Sequence, residues 1–346
     1  MLPVTFLTDL EMNDTRKRRP TLQDIADLTG VTKMTVSRYL RDPGAVAEGT
    51  RERIAAAVEE LGYIPNRAPE MLSNATSKAI GILIPSLSNQ VFSALVQGIE
   101  AVTRPAGYQT LLAHYGYSPQ REEEQVAALL SYNVDGLILS DSEHTERTRK
   151  MIATAGIPVV ETMDLPQTPI DMVAGMDHRA AARAMVTEML QRGRRKVVYL
   201  GARLDVRTQL RMEGYYQAMS DYGLEGQHLL TEQSSSFTLG GQLLQQALTR
   251  YPDLDGLFCT NDDLAVGALL QCQAKWIPVP QQVAIAGSNG LDIGQAMTPK
   301  LASIITPRQE IGREAATMML ARLNGQPLTE TCRDLGFSLY QGESLG

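Results

Sequence analysis

Thr21-Leu22-Gln23-Asp24-Ile25-Ala26-Asp27-Leu28-Thr29-Gly30-Val31-Thr32-Lys33-Met34-Thr35-Val36-Ser37-Arg38-Tyr39-Leu40 reads as two short helices turning on a glycine. Thr21 with Asp24 three residues on makes a capping-box start, and Leu22, Ile25, Ala26 and Thr29 follow at helical spacing. Gly30 stops that helix, Val31 turns into the core, and Thr32 caps a second helix running from Lys33 to Leu40. Val36 and Leu40 face inward, which leaves Lys33, Met34, Ser37 and Arg38 outside. A third helix is expected from about Glu48 to Leu61, closed onto the core by Ile54, Val58 and Leu61 and stopped by Gly62; Ala47 makes its start weak. Two helices joined by a tight turn form a helix-turn-helix. Its second helix would enter a major groove N-terminus first, with Lys33 and Met34 on base edges and Arg38 offering a bidentate fork to guanine. The competing reading is a small helical bundle that binds nothing.

Charge is distributed unevenly along the chain. Residues 1–14 carry a net −3, residues 15–67 a net +3, and the remainder the −7 that equals the whole-chain total. A small basic module ahead of a larger acidic body is the asymmetry expected when one end meets phosphates. Arg16-Lys17-Arg18-Arg19 alone is a solvated charge run, but directly before the motif it makes a phosphate-contacting arm. Residues 1–17 are read as a disordered tail, with Met12 as an alternative translation start. Cys259, Cys272 and Cys332 are too few and too far apart for a disulfide framework or a zinc site, which suits a reducing cytoplasm. The four histidines are scattered, so neither metal nor cofactor is expected, and no apolar run approaches the ~20 residues that cross a bilayer.

From Ser77 onward apolar runs alternate with helical stretches: Ala79–Ile84, Thr110–Ala113, Gly136–Leu139 and Pro158–Val160, then Lys196–Leu200, Gly256–Thr260 and Val283–Ala286. Continuous apolar strands between helices imply doubly wound parallel sheets covered on both faces, and the length suits two similar α/β lobes with a cleft between them. Ligands in such sheets sit at the carboxyl ends of strands. Those ends supply Ser86, Asn89 and Phe92, then Ser140, then Glu161 and Asp164; the second half adds Arg203, Arg207, Arg211, Asn261 with Asp262, and Asn289. Amides, carboxylates and guanidinium groups beside an aromatic face suit a polyol, and an Arg fork suits a carboxylate on it. Asn261 serves equally well as a helix cap, and Arg203 and Arg207 equally well as solvent-facing side chains. Catalytic sets are not evident: there is no nucleophile elbow, P-loop or zinc-protease motif, neighbouring Asp262 and Asp263 point apart on a helix, and Glu122-Glu123-Glu124 reads as a solvated face.

Three segments together resemble the DNA-binding end of the LacI family: Thr21 to Ala26, Gly30 to Arg38, and Gly62-Tyr63-Ile64-Pro65-Asn66-Arg67. Within that family the wording is similar to the gluconate and idonate operon regulators, and the similarity continues through Gln109 to Tyr115, Cys259 to Asp263 and Leu301-Ala302-Ser303. The resemblance implies an N-terminal all-α helix-turn-helix domain (18–65), a hinge (66–76) and a two-lobed core like periplasmic binding proteins (77–346). The first lobe is expected at about 77–176 and 308–328, the second at about 177–307 and 329–346. The expected partners are pseudo-palindromic double-stranded operator DNA, a sugar-acid effector such as gluconate, and a second copy of the chain, with no membrane. The DNA-contacting set is Thr32, Lys33, Met34, Thr35, Ser37 and Arg38, joined by Asn66, Arg67 and Leu72 from the hinge. The effector set is Asn89, Phe92, Ser140, Asp164, Arg207, Arg211, Asn261 and Asn289, with Arg211 and Asn261 at the family's ligand-binding positions. Many members carry an aspartate after Gly287; here Ser288-Asn289 stands instead, which reduces repulsion of an anionic ligand.

Residues 66–74 are too short a helix to hold alone, because nucleation costs more than so few bonds return. Sequence alone leaves a flexible linker and a hinge helix equally open. The resemblance implies paired hinge helices in the minor groove, each wedging Leu72 between base steps. Replacing Leu72 by Ala is then expected to weaken specific operator binding in a gel-shift titration while sugar affinity stays the same; unchanged operator affinity would end the wedge idea.

Overall fold

The computed structural model describes residues 18–66 and 76–346, divided between a small helical unit and a larger α/β unit. The tail, Arg67 and Leu72 lie outside the described residues. In the small unit the helices are α1 (Leu22–Thr29), α2 (Lys33–Arg41) and α3 (Glu48–Leu61). Asp24 accepts from the Thr21 backbone N–H at 2.6 Å and from its hydroxyl at 2.7 Å, which fixes the start of α1. Gly30 adopts φ 67°, the left-handed conformation that lets α1 end and the chain turn directly into α2. Thr32 Oγ1 accepts from Thr35 N–H at 3.2 Å, whereas Ala47 offers α3 no side-chain cap. Ile25, Ala26, Val36, Ile54, Ala57 and Tyr63 form the core, with Leu40, Val58 and Leu61 packed partly buried around it. Arg53 Nη1 donates to Thr29 O at 3.1 Å, tying α3 to the turn between the first two helices.

The larger unit starts with β1 (Ala79–Ile84), α4 (Gln90–Thr103), β2 (Gln109–His114), α5 (Pro119–Ser131), β3 (Gly136–Leu139), α6 (Glu146–Ala155), β4 (Val159–Met163) and β5 (Met172–Gly175). The chain then crosses over. The second lobe runs through α7 (His178–Gln191), β6 (Val197–Ala202), α8 (Val206–Asp221), β7 (Gln227–Thr231), α9 (Phe237–Arg250), β8 (Gly256–Cys259), α10 (Asp262–Ala274), β9 (Ala284–Asn289), α11 (Asp292–Ala296) and β10 (Ala302–Ile305). It returns with α12 (Arg308–Leu323) and β11 (Cys332–Asp334), and crosses once more to β12 (Ser338–Tyr340).

The first sheet has the order β11-β5-β4-β3-β1-β2 and is parallel throughout; the second, β12-β10-β9-β8-β6-β7, is parallel except for β12. Both sheets reverse direction of growth at their first strand, so the crevices beyond β1 and β3, and beyond β6 and β8, are the switch points where ligands bind in such folds. Helices α4 and α12 lie close enough that a Cβ on Gly98 would stand 2.2 Å from Gln309 O, and one on Gly312 2.2 Å from Leu95 O. Two backbones in contact make the first lobe stiff on that side.

One boundary differs from the sequence reading. Cys332–Asp334 pairs with β5 in the first sheet, so the return to the second lobe falls after residue 334 and not near 329. This edge strand is three residues long, two of them charged, and no apolar run announces it.

The acidic run also departs from expectation. Glu122 is buried, Glu123 accepts from Thr145 Oγ1 at 2.6 Å, and of the three only Glu124 is exposed. Glu122 Oε1 lies 2.8 Å from His144 Nδ1, and the other ring nitrogen lies 3.5 Å from Glu161 Oε1. Glu161 sits inside β4, not after it. Burial alone would push the His144 imidazolium down in pKa, but its bonds to the two carboxylates outweigh that and raise it from 6.5 to about 9. A histidine raised in the fold contributes stability that is fully present below its unfolded pKa and is lost as pH rises through the folded value. The melting temperature of the core is therefore expected to fall from about pH 7 to about pH 9.5, with a shallower slope in His144→Gln. Circular dichroism melts of both proteins across that range check this; superimposable slopes would contradict it.

Candidate functional site

Two surfaces carry the candidate residues. On the helical unit, Lys33, Met34 and Arg38 are exposed, Met34 to 73%, and Thr35 and Ser37 are half-buried beside them. Residues three and four apart in a helix share a face, so Lys33, Met34, Ser37, Arg38 and Arg41 point one way while Val36 points into the core. Arg41 was not in the expected set; its Nη2 donates to Ser37 Oγ at 3.4 Å and adds a cation to the face. An apolar side chain as exposed as Met34, ringed by cations and hydroxyls, fits a surface that meets both phosphates and base edges. Thr32 is taken up with capping α2, and Arg18, Arg19 and Asn66 are exposed at the ends of the unit.

The second surface is the cleft between the lobes of the larger unit, whose empty space of about 390 Å³ is partly open to solvent. It brings together Asn89, Phe92, Arg207, Arg211, Asn261 and Asn289 from the expected effector set. Ser140 and Asp164 do not line it. Ser140 Oγ donates to Leu83 O at 2.9 Å, and its carbonyl accepts from Arg207 Nη2. Asp164 Oδ1 accepts from Arg207 Nε at 2.9 Å. Both stand behind Arg207, which reaches them from the opposite lobe and is buried, contrary to its solvent-facing alternative.

The electrostatics follow from these contacts. Burial would raise the Asp164 carboxyl, but Arg207 and then His178 hold it down to about 2. The reverse holds for Arg207, where Asp164 outweighs burial and raises its pKa. His178 Nε2 lies 3.1 Å from Met163 O and 3.2 Å from Asp164 Oδ1, both acceptors, so the proton sits on Nε2. Its Nδ1 then accepts from Arg211 Nη2 at 3.2 Å. Burial, reinforced by Arg211, pushes His178 down in pKa and keeps the ring neutral. Arg211 Nη1 donates to Thr260 O at 2.6 Å, and its Nε finds no hydrogen-bond partner. Its burial lowers its pKa, yet a guanidinium stays charged in proteins.

Asn261 fills both of the roles read for it. Its Oδ1 accepts from Leu264 N–H at 3.1 Å, capping α10, while its Nδ2 donates to Ser235 Oγ at 2.7 Å on the cleft wall. Asp262 and Asp263 diverge as expected: Asp262 is buried and accepts from Leu291 N–H at 2.6 Å and Ser303 Oγ at 2.7 Å.

Sequence reasoning missed Tyr117, which follows β2 and stacks against Arg203 of the other lobe, its ring centroid 4.3 Å from the guanidinium carbon. It stands at a strand end like the others, but β2 is half-exposed and less apolar, so its end signals a ligand site less clearly. Tyr117, Met163, Arg203 and Asn289 all line the cleft, and all hold positive φ, at 60°, 80°, 72° and 117°. Non-glycine residues in that region cost about 1–3 kcal/mol each and cluster where function over-determines the backbone.

Two family models match the chain. Residues 77–334 match the periplasmic binding proteins and sugar binding domain of the LacI family, and residues 21–66 match the bacterial regulatory proteins of the lacI family. The HTH-type transcriptional regulator GntR of Escherichia coli (strain K12) is 56% identical over 330 residues, 95% of this chain and 100% of that protein. IdnR of the same organism is 52% identical over 331 residues, again 95% and 100% of the two chains. Among solved structures, a LacI-family regulator from Silicibacter pomeroyi superposes with a TM-score of 0.88 at 36% identity, covering 94% of this chain and 99% of that one. The regulator GntR from Chromobacterium violaceum gives 0.75 at 36% identity, over 77% and 98%. A helix-turn-helix unit followed by a two-lobed sugar-binding fold, with relatives of this similarity over nearly the full length, places the chain in the LacI family of DNA-binding transcriptional regulators.

Proposed function

We propose that the chain is a cytoplasmic repressor of sugar-acid catabolism genes of the gluconate/idonate type, acting by binding and not by catalysis. As a homodimer it grips a pseudo-palindromic operator, and a sugar acid held in the cleft sets its affinity. The observation that carries the effector class is Arg211: a buried guanidinium with no carboxylate partner and an unbonded Nε–H, on the wall of a polar cleft. A ligand carboxylate satisfies both the charge and the donor. After Gly287, where many family members carry an aspartate, this chain has Ser288-Asn289, so no negative charge there opposes it. Similarity to GntR and IdnR supports the same class.

On DNA, α2 lies in the major groove, with Arg38, Lys33 and Met34 reading base edges and Thr32, Thr35 and Ser37 on phosphates. Asn66, Arg67 and Leu72 extend the contact into the minor groove. Coupling between cleft and operator is a difference in affinity between two states and is reciprocal: an effector that weakens operator binding is itself bound less tightly on the operator.

Arg38→Ala is expected to cost about 1–3 kcal/mol of operator affinity and to relax preference at one base pair, measured by gel shift against a set of single-base operator variants. Arg211→Ala is expected to weaken sugar-acid binding by about a hundredfold or more, since a carboxylate then loses its only unpaired cation. Calorimetry with a panel of sugar acids and neutral sugars, with and without operator, tests the effector class. Binding of neutral sugars with failure of every acid would overturn that class and leave the fold standing.

A further inference from the structure

Of the three guanidinium groups that line the inner cleft, two have a carboxylate partner and one does not. Arg203 Nε lies 3.7 Å from Asp205 Oδ2, and its guanidinium also stacks on Tyr117. Arg207 is bonded to Asp164 and to the Ser140 carbonyl. Arg211, in contrast, meets neutral acceptors alone: Thr260 O at 2.6 Å, His178 Nδ1 at 3.2 Å and Asn289 Oδ1 at 3.5 Å. Two cations are thus matched by two carboxylates, and the third is not.

We infer that the cleft is built for an effector carrying a single negative charge, an aldonate monoanion, and that Asp164 is the residue that sets this limit by neutralising Arg207 from behind. The inference rests on the sugar-acid reading and narrows it. Were Asp164 uncharged, Arg207 and Arg211, one helical turn apart on α8, would present two free guanidinium groups to the cleft and would suit a dianion. With Asp164 ionised, a second anionic group must either compete with it for Arg207 or stay unpaired in a site largely shielded from water, and both are costly. Because Arg207 holds Asp164 at about 2, the carboxylate stays ionised throughout the neutral range. The outer mouth of the cleft reinforces the selection: Ser86, Ser88, Ser234 and Ser235 offer hydroxyls to a polyol tail, while the Asp263 carboxyl there repels a terminal phosphate or second carboxylate. Asp164 touches no part of the cleft space itself, so it acts as a positioning residue through Arg207.

Calorimetry on the full chain at about pH 8, where ordinary imidazoles are uncharged, compares gluconate with glucarate, which adds a second carboxylate, and with 6-phosphogluconate. The wild-type protein is expected to bind gluconate at least about tenfold more tightly than glucarate, a dianion, or 6-phosphogluconate, whose phosphate and carboxylate together carry about three negative charges at that pH. In Asp164→Asn the advantage of gluconate is expected to shrink about tenfold or to reverse, with a cooperative melt establishing that the variant is folded. Equal or tighter wild-type binding of glucarate or 6-phosphogluconate would overturn the inference without need of any variant. A folded Asp164→Asn protein with the wild-type ratio would overturn the role of Asp164. Failure of all three acids beside binding of a neutral hexose would sink the sugar-acid reading itself, whereas gluconate binding without discrimination sinks this inference alone.

Discussion

A carboxylate as deeply buried as Asp164 needs a cation beside it, and the one it has arrives from the other lobe. Removing either partner of such a pair costs about 3–5 kcal/mol, because the survivor is left charged and dry. The same carboxylate orients His178, the neutral ring of His178 receives Arg211, and Arg211 reaches on to the end of β8 and to Asn289. Strand ends from both sheets are thereby joined through a single chain of polar contacts.

The backbone at the cleft bears the cost of this arrangement. Met163 immediately precedes Asp164, Asn289 ends β9, and Tyr117 and Arg203 close the mouth, each in a conformation its side chain disfavours. Arg308, at the start of α12 in the first lobe, donates to the Asn289 carbonyl at 2.7 Å, which holds the strained residue from outside the cleft. Residues near the crossings of the chain between lobes are thus fixed by bonds from both sides. Stiff glycine-mediated packing of α4 on α12 leaves little give within the first lobe.

How much of this was legible beforehand depends on the kind of signal. The helix-turn-helix declared itself because each local preference agrees with the fold: the capping pair Thr21 and Asp24, the left-handed Gly30, and Ile25, Val36 and Ile54 at core spacing. The long apolar strands were equally plain. What escaped were short or polar edge elements, Cys332–Asp334 above all, and every pairing between side chains far apart in sequence. Glu122 and His144 are separated by 22 residues, and Asp164 and Arg207 by 43, so no periodicity links them. Composition marks Glu122 for the surface; burial was decided by a partner that only the folded chain supplies. Of the eight residues expected at the cleft, six line it, because topology, not side-chain chemistry, places ligand sites in such sheets. Ser140 and Asp164 sit at strand ends as well, but their side chains turn backward, and a linear reading cannot see orientation.

The asparagines of the cleft carry a further implication. Asn89 Oδ1 is occupied by Val91 N–H, Asn261 Oδ1 by Leu264 N–H, and Asn289 Oδ1 by Arg211. The two helix caps settle which way their amides are turned, a matter that a side-chain amide otherwise leaves ambiguous. Two of the NH₂ groups are held as well: Asn89 Nδ2 donates to the Tyr117 hydroxyl at 3.4 Å and Asn261 Nδ2 to Ser235 Oγ at 2.7 Å. Both ends of these two amides are thereby fixed by the protein, so the cleft presents a wall whose polar groups are oriented before any ligand arrives.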